Sequence, residues 1–239
     1  MKVQIFIPCF VDQLYPETAF NMIKVLEKAG CEIIYNGNQT CCGQPAFNAG
    51  VWHESKLICQ KFLQDFSLDM PIVVPSASCV GFVRNYYQKL FENSSLHNQI
   101  KNTSANIFEF SEFLTQKLEL FDFGAQLSGL ATYHDSCAAL RECKIKEGPR
   151  QLLSYVQGLE IVEMQDVETC CGFGGTFAVK FADISIAMAE QKVENAMATK
   201  ADYIISTDHS CLMHLQGYID NKGYAIQTKH IADVLAAGW

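Results

Sequence analysis

The chain has 239 residues, 49% of them hydrophobic, so it is long enough to bury a core as one domain or as two small lobes. Its 18 basic and 26 acidic residues include no stripe of Lys and Arg that would neutralise phosphates, which argues against a nucleic-acid partner. The N-terminus lacks the basic start and longer apolar stretch of a signal peptide, and no apolar run approaches the roughly 20 residues that span a bilayer. We therefore expect a cytoplasmic protein without a transmembrane segment, in which clustered cysteines bind metal or act in catalysis.

Strand and helix patterns alternate along the first half of the chain. The predicted strands cover 2–8, 31–35 and 72–75, and the predicted helices cover 16–29 and 51–66. The helix over 16–29 has apolar residues on one face and polar residues on the other, and Gly30 follows it as a stop signal. This alternation indicates a parallel sheet covered by helices.

The second half repeats the pattern of the first. Its predicted strands cover 130–133, 159–162 and 203–206, with one helix after Pro149 and another over 182–197. A mostly polar stretch over 93–106 and a predicted helix over 107–118 connect the halves. We expect an α/β fold of two pseudo-equivalent lobes that arose by internal duplication, with domains over 1–119 and 120–239.

The cysteines repeat with the halves. Eight of the eleven fall into two copies of one pattern, in which one Cys precedes and one follows a Cys-Cys-Gly triplet. We name the copies the first thiol set (Cys9, Cys41, Cys42 and Cys79) and the second thiol set (Cys137, Cys170, Cys171 and Cys211). Equivalent members lie 128, 129 and 132 residues apart along the chain, as small loop insertions between duplicated domains would produce.

Each thiol set is predicted to gather at one edge of a sheet. The outer cysteines follow predicted strands, and the triplets occupy strand-to-helix loops, where open parallel sheets collect ligands. Four thiolates suit zinc or an iron–sulfur cluster equally. The adjacent cysteines favour a multi-iron cluster, because two neighbouring side chains would chelate a single ion under strain but can reach different irons. We therefore predict that both sets bind metal.

Glycines beside the thiols are predicted to support the bound group. Gly43 and Gly172 permit close backbone approach, and loop N–H groups there can donate to cluster sulfurs. The stretch from Gly172 through Gly174 to Thr176 resembles a phosphate-binding loop only weakly, since it follows Cys171 rather than a strand. A tight turn around the cluster explains it better.

Three cysteines and four polar residues near the pattern have simpler interpretations. Cys31, Cys59 and Cys143 have no place in the repeat, and we expect them to pack in the core. His134 and His209 precede cysteines of the second set and are alternative ligands or proton donors, but we expect surface or hydrogen-bonded histidines. Ser76 and Asp208 each stand three residues before a cysteine, where we expect helix caps rather than iron ligands.

Three stretches of the chain carry a family resemblance: Cys41-Cys42-Gly43-Gln44-Pro45-Ala46, the stretch over 170–177 and His230-Ile231-Ala232-Asp233-Val234-Leu235. They resemble the Cys-Cys-Gly cysteine-rich domain family of iron–sulfur proteins, which includes the B subunit of heterodisulfide reductase and glycolate-oxidase iron–sulfur subunits. They are most similar to a short, stand-alone lactate-utilisation branch, and the similarity covers essentially the whole chain. The resemblance implies oxidation of L-lactate to pyruvate, together with a ferredoxin-like iron–sulfur protein and a third lactate-utilisation protein.

The resemblance also implies a cofactor, which is an iron–sulfur cluster of the 4Fe-4S type, with zinc as an alternative at one motif. Ligation would then come from the eight repeated cysteines, with Gly43, Gly172 and Gly174 in the cofactor-binding loops. The heterodisulfide reductase pattern has Cys where this chain has Ser76 and Asp208. Each motif thus offers four cysteines rather than five, which argues against the non-cubane cluster of that enzyme.

Three functional hypotheses remain open at the level of sequence. The first is an oxidoreductase subunit of a lactate-oxidising complex, the second a thiol–disulfide redox subunit of the heterodisulfide type, and the third a zinc-stabilised scaffold without redox activity. The chain has no Cys-x2-Cys-x2-Cys ferredoxin run and no dinucleotide fingerprint. A redox role would therefore require partner proteins as source or sink of electrons.

Overall fold

A computed structural model describes residues 1–66, 70–92 and 95–239 of the chain. Eight strands are present in this part of the chain: β1 (Lys2–Ile5), β2 (Glu32–Tyr35), β3 (Ile72–Val74), β4 (Ile107–Glu109), β5 (Gln126–Tyr133), β6 (Gln157–Ile161), β7 (Tyr203–Ser206) and β8 (Gln227–His230). They form two four-stranded sheets with the orders β2-β1-β3-β4 and β6-β5-β7-β8, and all neighbours pair in parallel. The same order in both sheets confirms the predicted α/β fold of two duplicated lobes.

Helices connect the strands and cover the sheets. The α-helices of the described residues are α1 (Cys9–Leu14), α2 (Pro16–Lys28), α3 (Gln44–Asn48), α4 (Trp52–Asp65), α5 (Ala77–Leu90), α6 (His97–Asn106), α7 (Phe110–Glu112), α8 (Glu147–Ser154), α9 (Thr176–Lys180), α10 (Ala182–Ala198), α11 (His209–Lys222) and α12 (Ile231–Leu235). Two π-helical segments cover Phe113–Lys117 and Ala138–Cys143. None of these helices is long and apolar enough to cross a membrane.

The connection between the lobes differs from the sequence prediction. The helix predicted over 107–118 is wrong at its start, because Ile107–Glu109 is the edge strand β4, paired with β3. The helical pattern begins only at Phe110 and continues as a π-helical segment. The polar stretch before it contains α6, which buries Ile100 and Thr103, while Asn93 and Ser94 lie outside the described residues. The connection is therefore a packed part of the first lobe.

One hydrophobic core joins the two lobes. It contains Val3 and Ile5 of β1, Ala131 and Tyr133 of β5, and side chains of α2, α8 and α12. Each lobe has a second core on the other side of its sheet. Helix α2 also forms hydrogen bonds with two helices of the second lobe, since Thr18 Oγ1 lies 2.7 Å from His209 Nε2 of α11 and 2.8 Å from Asp233 Oδ2 of α12. The lobes thus face each other in a fixed arrangement.

Candidate metal centres

The first thiol set converges at the carboxyl edge of the first sheet. Cys9 begins α1, Cys41 and Cys42 lie in the loop before α3, and Cys79 lies in the first turn of α5. The Sγ atoms of Cys42 and Cys79 are 3.4 Å apart. Side-chain hydrogen bonds join Cys9 to Cys41 and Cys41 to Cys42. The structure thus brings all four predicted thiols into one connected group.

The second thiol set has the same arrangement at the edge of the second sheet. Cys137 directly precedes a π-helical segment, Cys170 and Cys171 lie in the loop before α9, and Cys211 lies in the first turn of α11. Hydrogen bonds join Cys137 to Cys170, Cys170 to Cys171 and Cys171 to Cys211. The duplication therefore extends from the cysteine spacing to the side-chain geometry.

The glycine of each triplet holds its cysteines in place. Gly43 N donates to Cys41 Sγ and Gly172 N donates to Cys170 Sγ, both over 3.4 Å. Their φ angles of 95° and 92° are left-handed, a conformation that glycine adopts without strain. Gly174 also has a positive φ, of 53°, in the turn before α9. A role for these three glycines in binding a cofactor stays a prediction.

A serine in the second helix after each triplet, α4 or α10, forms a hydrogen bond with the glycine of that triplet. Ser55 Oγ donates to Gly43 O over 3.0 Å, and Ser185 Oγ donates to Gly172 O over 2.8 Å. The helices approach so closely that a Cβ on Gly43 would lie 2.9 Å from Cys59 Sγ, and one on Gly172 would lie 2.6 Å from Ser185 O. The cysteine pattern gives no sign of this serine pair. Its signal in the sequence is similar spacing, since Ser55 lies 13 residues after Cys42 and Ser185 lies 14 after Cys171.

The electrostatics of each set favour a bound cation. Hydrogen bonds from Cys42 and Cys9 lower the pKa of Cys41 to about 3, and those from Cys137 and Cys171 lower the pKa of Cys170 to about 2. The thiols that donate to these two thiolates have raised pKa values, because hydrogen bonding and burial keep their protons in place. Without a cation, each set holds one thiolate, which is stabilised by hydrogen bonds from the protonated thiols beside it. Four thiolates in one group require positive charge between them, so the donor set fits zinc or an iron–sulfur cluster.

His134 lies beside the second thiol set, and the expectation of a surface or hydrogen-bonded histidine is wrong for it. The side chain is fully buried, and neither ring nitrogen has a hydrogen-bond partner among the described residues. One ring nitrogen and the Sγ atoms of Cys171 and Cys211 all lie within 4.8 Å of one another. Burial and the nearby Lys192 lower the pKa of His134 to about 3. His209 does match the expectation, through its bond to Thr18.

Ser76 and Asp208 occupy the N-cap positions of α5 and α11, but the predicted capping is wrong because, among the described residues, neither side chain accepts a hydrogen bond from the backbone of its own helix. Asp208 instead accepts hydrogen bonds from Ser76 Oγ at 2.9 Å, Ser78 N at 3.2 Å and Ser136 Oγ at 2.7 Å. The carboxylate of the second lobe therefore caps a helix of the first lobe.

The cysteines outside the repeat pack in the core, as predicted. Cys31 belongs to the shared core, and Cys59 and Cys143 belong to the second core of the first lobe. Burial raises the pKa of Cys59 to about 11. Cys143 Sγ donates to Ala77 O over 3.4 Å. These thiols stay protonated and engaged in local contacts.

Two cavities open beside the second thiol set. One, of about 290 Å³, lies between the lobes and is lined by Gln44, which follows the first triplet, by Cys137 and by Arg141. The other, of about 560 Å³, is lined by residues of the loop that ends at Cys170 and again by Arg141. The rings of Phe10, next to Cys9, and Phe173, in the second triplet loop, also meet at 6.0 Å. The two thiol sets therefore face the same junction between the lobes.

Comparison with known proteins finds the same duplication. A model of the CCG cysteine-rich domain matches residues 3–84 and 131–216. Lactate utilization protein A 1 of Bacillus mycoides is 43% identical over 98% of this chain and 96% of its own length. Lactate utilization protein A of Geobacillus thermodenitrificans is 39% identical over 98% of both chains.

Among solved structures, the crystal structure of a hypothetical protein from Helicobacter pylori superposes with a TM-score of 0.58 at 10% identity. The superposition includes 100% of this chain and 49% of that one, so the present chain spans about half of its length. At this low identity the similarity extends to the fold alone.

Proposed function

This chain belongs to the family of CCG cysteine-rich-domain proteins, and we propose that it is an iron–sulfur oxidoreductase subunit of a complex that oxidises L-lactate to pyruvate. The observation that carries the proposal is the pair of four-thiol groups that face one junction between the lobes. L-lactate is proposed as the substrate because the similar proteins are named for lactate utilisation. On this proposal, 1–119 and 120–239 are two CCG domains, each with one metal centre.

The eight repeated cysteines would hold the metal centres. The first thiol set would ligate one iron–sulfur cluster of the 4Fe-4S type, and the second thiol set would ligate another, with zinc as the alternative at one of them. A bound cluster would supply one-electron transfer. The backbone N–H groups of Gly43 and Gly172, which donate to Cys41 and Cys170, would stabilise negative charge on the sulfurs.

The stoichiometry of the reaction explains the need for partners. Conversion of the hydroxyl carbon of lactate to a carbonyl releases two electrons and two protons, whereas an iron–sulfur cluster passes one electron at a time. The chain shows no dinucleotide fingerprint that would indicate a two-electron cofactor. We propose that a ferredoxin-like iron–sulfur protein and a third lactate-utilisation protein complete the path for electrons.

Arg141 is the residue that we propose to bind the substrate carboxylate. It lines both cavities beside the second thiol set, and a guanidinium can hold a carboxylate through two parallel hydrogen bonds. A small hydroxy acid bound there would lie next to Cys137 or Cys170. On this proposal the reaction takes place close to the second triplet loop.

Exposed aromatic residues that follow the triplet loops support a partner-binding role. Trp52 at the start of α4 is 60% exposed, and Phe181 directly before α10 is 53% exposed. Aromatic side chains are enriched at protein interfaces, where they contribute much of the binding energy. We propose that the iron–sulfur partner contacts the surface around one or both of these residues.

Genetic complementation combined with metal analysis tests the proposal. A strain that lacks the gene and any other lactate dehydrogenase should fail to grow on L-lactate, and the wild-type gene should restore growth. Cys170→Ser should not restore growth, because it removes a ligand, whereas Cys59→Ser should, because Cys59 lies in the core. Arg141→Gln should retain metal and raise the KM for lactate in the assembled complex.

Metal analysis of the anaerobically purified protein distinguishes the alternatives. We expect brown protein with iron and inorganic sulfide, and loss of one cluster spectrum in Cys170→Ser but not in Cys59→Ser. Colourless protein that contains zinc alone would refute the redox role. Growth of the deletion strain on lactate would refute the substrate, and lactate oxidation by the purified chain alone would refute the requirement for partners.

A further inference from the structure

We propose that His134 is a nitrogen ligand of the second metal centre, which makes that centre different in kind from the first. The inference rests on the proposed function in one respect, namely that the thiol sets bind metal. It adds a ninth ligand that the cysteine repeat does not contain. The first centre would then have sulfur ligands only, and the second a mixed set of sulfur and nitrogen.

The position of His134 is that of a ligand. One ring nitrogen and the Sγ atoms of Cys171 and Cys211 lie within 4.8 Å of one another, as donors around one metal site would. The ring is fully buried, and both of its nitrogens lack a hydrogen-bond partner in the part of the chain that the structure describes. Buried imidazole groups nearly always have hydrogen-bond partners, because an unpaired polar group loses its hydration without compensation. A metal ion would satisfy one of the two nitrogens.

The first lobe has no counterpart of this nitrogen at the equivalent position of the sequence. Phe6 lies three residues before Cys9, just as His134 lies three residues before Cys137. A second polar substitution accompanies the first, since Phe62 lies seven residues after Ser55 and Lys192 lies seven residues after Ser185. Phe6 and Phe62 pack edge to face with ring centroids 4.9 Å apart. The same two positions beside the second set thus hold a histidine and a lysine.

Lys192 reinforces the difference between the centres. Its side chain is fully buried, and its ammonium donates to Asp166 O at 2.6 Å and to Val167 O at 3.0 Å. A buried positive charge near the second set stabilises the reduced, more negative state of a metal centre, and the first set has Phe62 at the equivalent position. The second centre should therefore have the higher reduction potential and collect the electrons.

Pulsed electron paramagnetic resonance of the full chain tests the proposal. The protein is reconstituted anaerobically with iron and sulfide, reduced with dithionite, and compared with and without ¹⁵N-histidine. We expect a nitrogen hyperfine coupling of a directly bound imidazole that changes with the isotope. His134→Phe, which copies the residue of the first lobe, and His134→Cys, which keeps a donor atom, should both abolish it. His209→Gln, a matched change at another buried histidine, should leave it intact.

A second measurement, of metal affinity, tests the proposal if a variant folds poorly or if the reduced protein gives no paramagnetic signal. Apoprotein is titrated with cobalt(II), and loss of the His134 donor should weaken the binding of one of two ions by at least about tenfold, with His134→Cys restoring affinity. Nitrogen coupling that is absent, or that persists in both His134 variants, would overturn the proposal, as would an unchanged cobalt affinity. Wild-type protein that binds neither iron nor cobalt would instead refute the metal centres themselves.

Discussion

Glu109 shows how one buried side chain links the stability of this fold to pH. It ends β4 and caps α7, where its Oε2 accepts from Ser111 N at 2.8 Å and from Glu112 N at 3.1 Å. Glu109 N in turn donates to Glu112 Oε2, and Glu112 forms a salt bridge with Arg84. Burial raises the pKa of Glu109 to about 8, and its Oε1 has no hydrogen-bond partner within residues 1–66, 70–92 and 95–239. The carboxyl group is therefore held in its protonated form at neutral pH.

The first prediction concerns the pH dependence of this group. A raised folded pKa means that the folded state binds the proton more tightly, so the stabilisation is complete below the ordinary pKa of 4.5 and is lost as the pH rises through about 8. Glu109→Gln removes this titration while it keeps an oxygen for the cap. Between pH 4.5 and 8.5 the wild type should therefore lose roughly 3–5 kcal/mol of its free energy of unfolding that the variant does not lose.

Denaturant unfolding of the reduced proteins at several pH values measures the difference. The matched control is Glu92→Gln, at an exposed glutamate that lies just after the end of α5. That variant should follow the wild-type profile, because its carboxyl group is surrounded by water in the folded and unfolded states. Parallel profiles for the wild type and Glu109→Gln would contradict the prediction.

At the scale of elements, the short loop from each triplet into the next helix sets the geometry of its thiols. Gly172 has a left-handed φ of 92°, and a Cβ there would lie 2.6 Å from Ser185 O and 2.8 Å from Met188 Cβ. Backbone and side chain of α10 therefore close the loop from one side. At Gly30, with a φ of 78°, an added Cβ would have no atom of the described residues within 4 Å, apart from those of its chain neighbours. An alanine would have a strained backbone at both positions, but only at Gly172 would it also collide with neighbouring atoms. Comparison of the two positions therefore distinguishes the two effects.

The second prediction uses this pair. Gly30→Ala should lower the free energy of unfolding by about 1–2 kcal/mol, the cost of a left-handed alanine. Gly172→Ala should cost more than this and should also lose the metal of the second thiol set, because the loop must move away from α10. Unfolding experiments and iron analysis of both variants provide the measurement. Equal stability losses with full metal content in both would show that the close contact is unimportant.

Much of the element order follows from the sequence, and the exceptions have physical reasons. The strand over 203–206 and the helix ending near Lys28 have clear periodic patterns, and the structure matches them closely. The edge strand β8 has the sequence Gln-Thr-Lys-His and carries no strand pattern, because an edge strand needs few apolar residues. The sequence offers a ligand role for His134 only as an alternative, since burial beside the end of a strand cannot be inferred from one histidine.

At the scale of the whole molecule, the two lobes share one core. Val3 and Val73 of the first sheet belong to the same apolar cluster as Ala131 and Ile205 of the second. The duplication supplies two similar sheets, but each sheet completes the burial of the other. Independent folding of the lobes is therefore unfavourable, because separation would expose this apolar surface to water.

The third prediction is that the chain unfolds in one cooperative step. Trp52 lies in the first lobe and Trp239 follows the last helix, so Trp52→Phe and Trp239→Phe give single-tryptophan proteins that report on different parts of the molecule. Their denaturant midpoints, corrected for any change in stability seen by circular dichroism, should coincide. Two separate fluorescence transitions would indicate lobes that unfold independently.

The hydrogen bond between Ser76 and Asp208 indicates how the two halves changed after the duplication. These residues are equivalents in the two halves, yet they touch each other, with Ser76 Oγ 2.9 Å from Asp208 Oδ1. In a homodimer with a twofold axis, a residue that meets its own copy meets an identical side chain. A serine can face an aspartate at such a position only after the two halves have diverged in sequence. Duplication therefore permitted an asymmetry that no pair of identical subunits can encode.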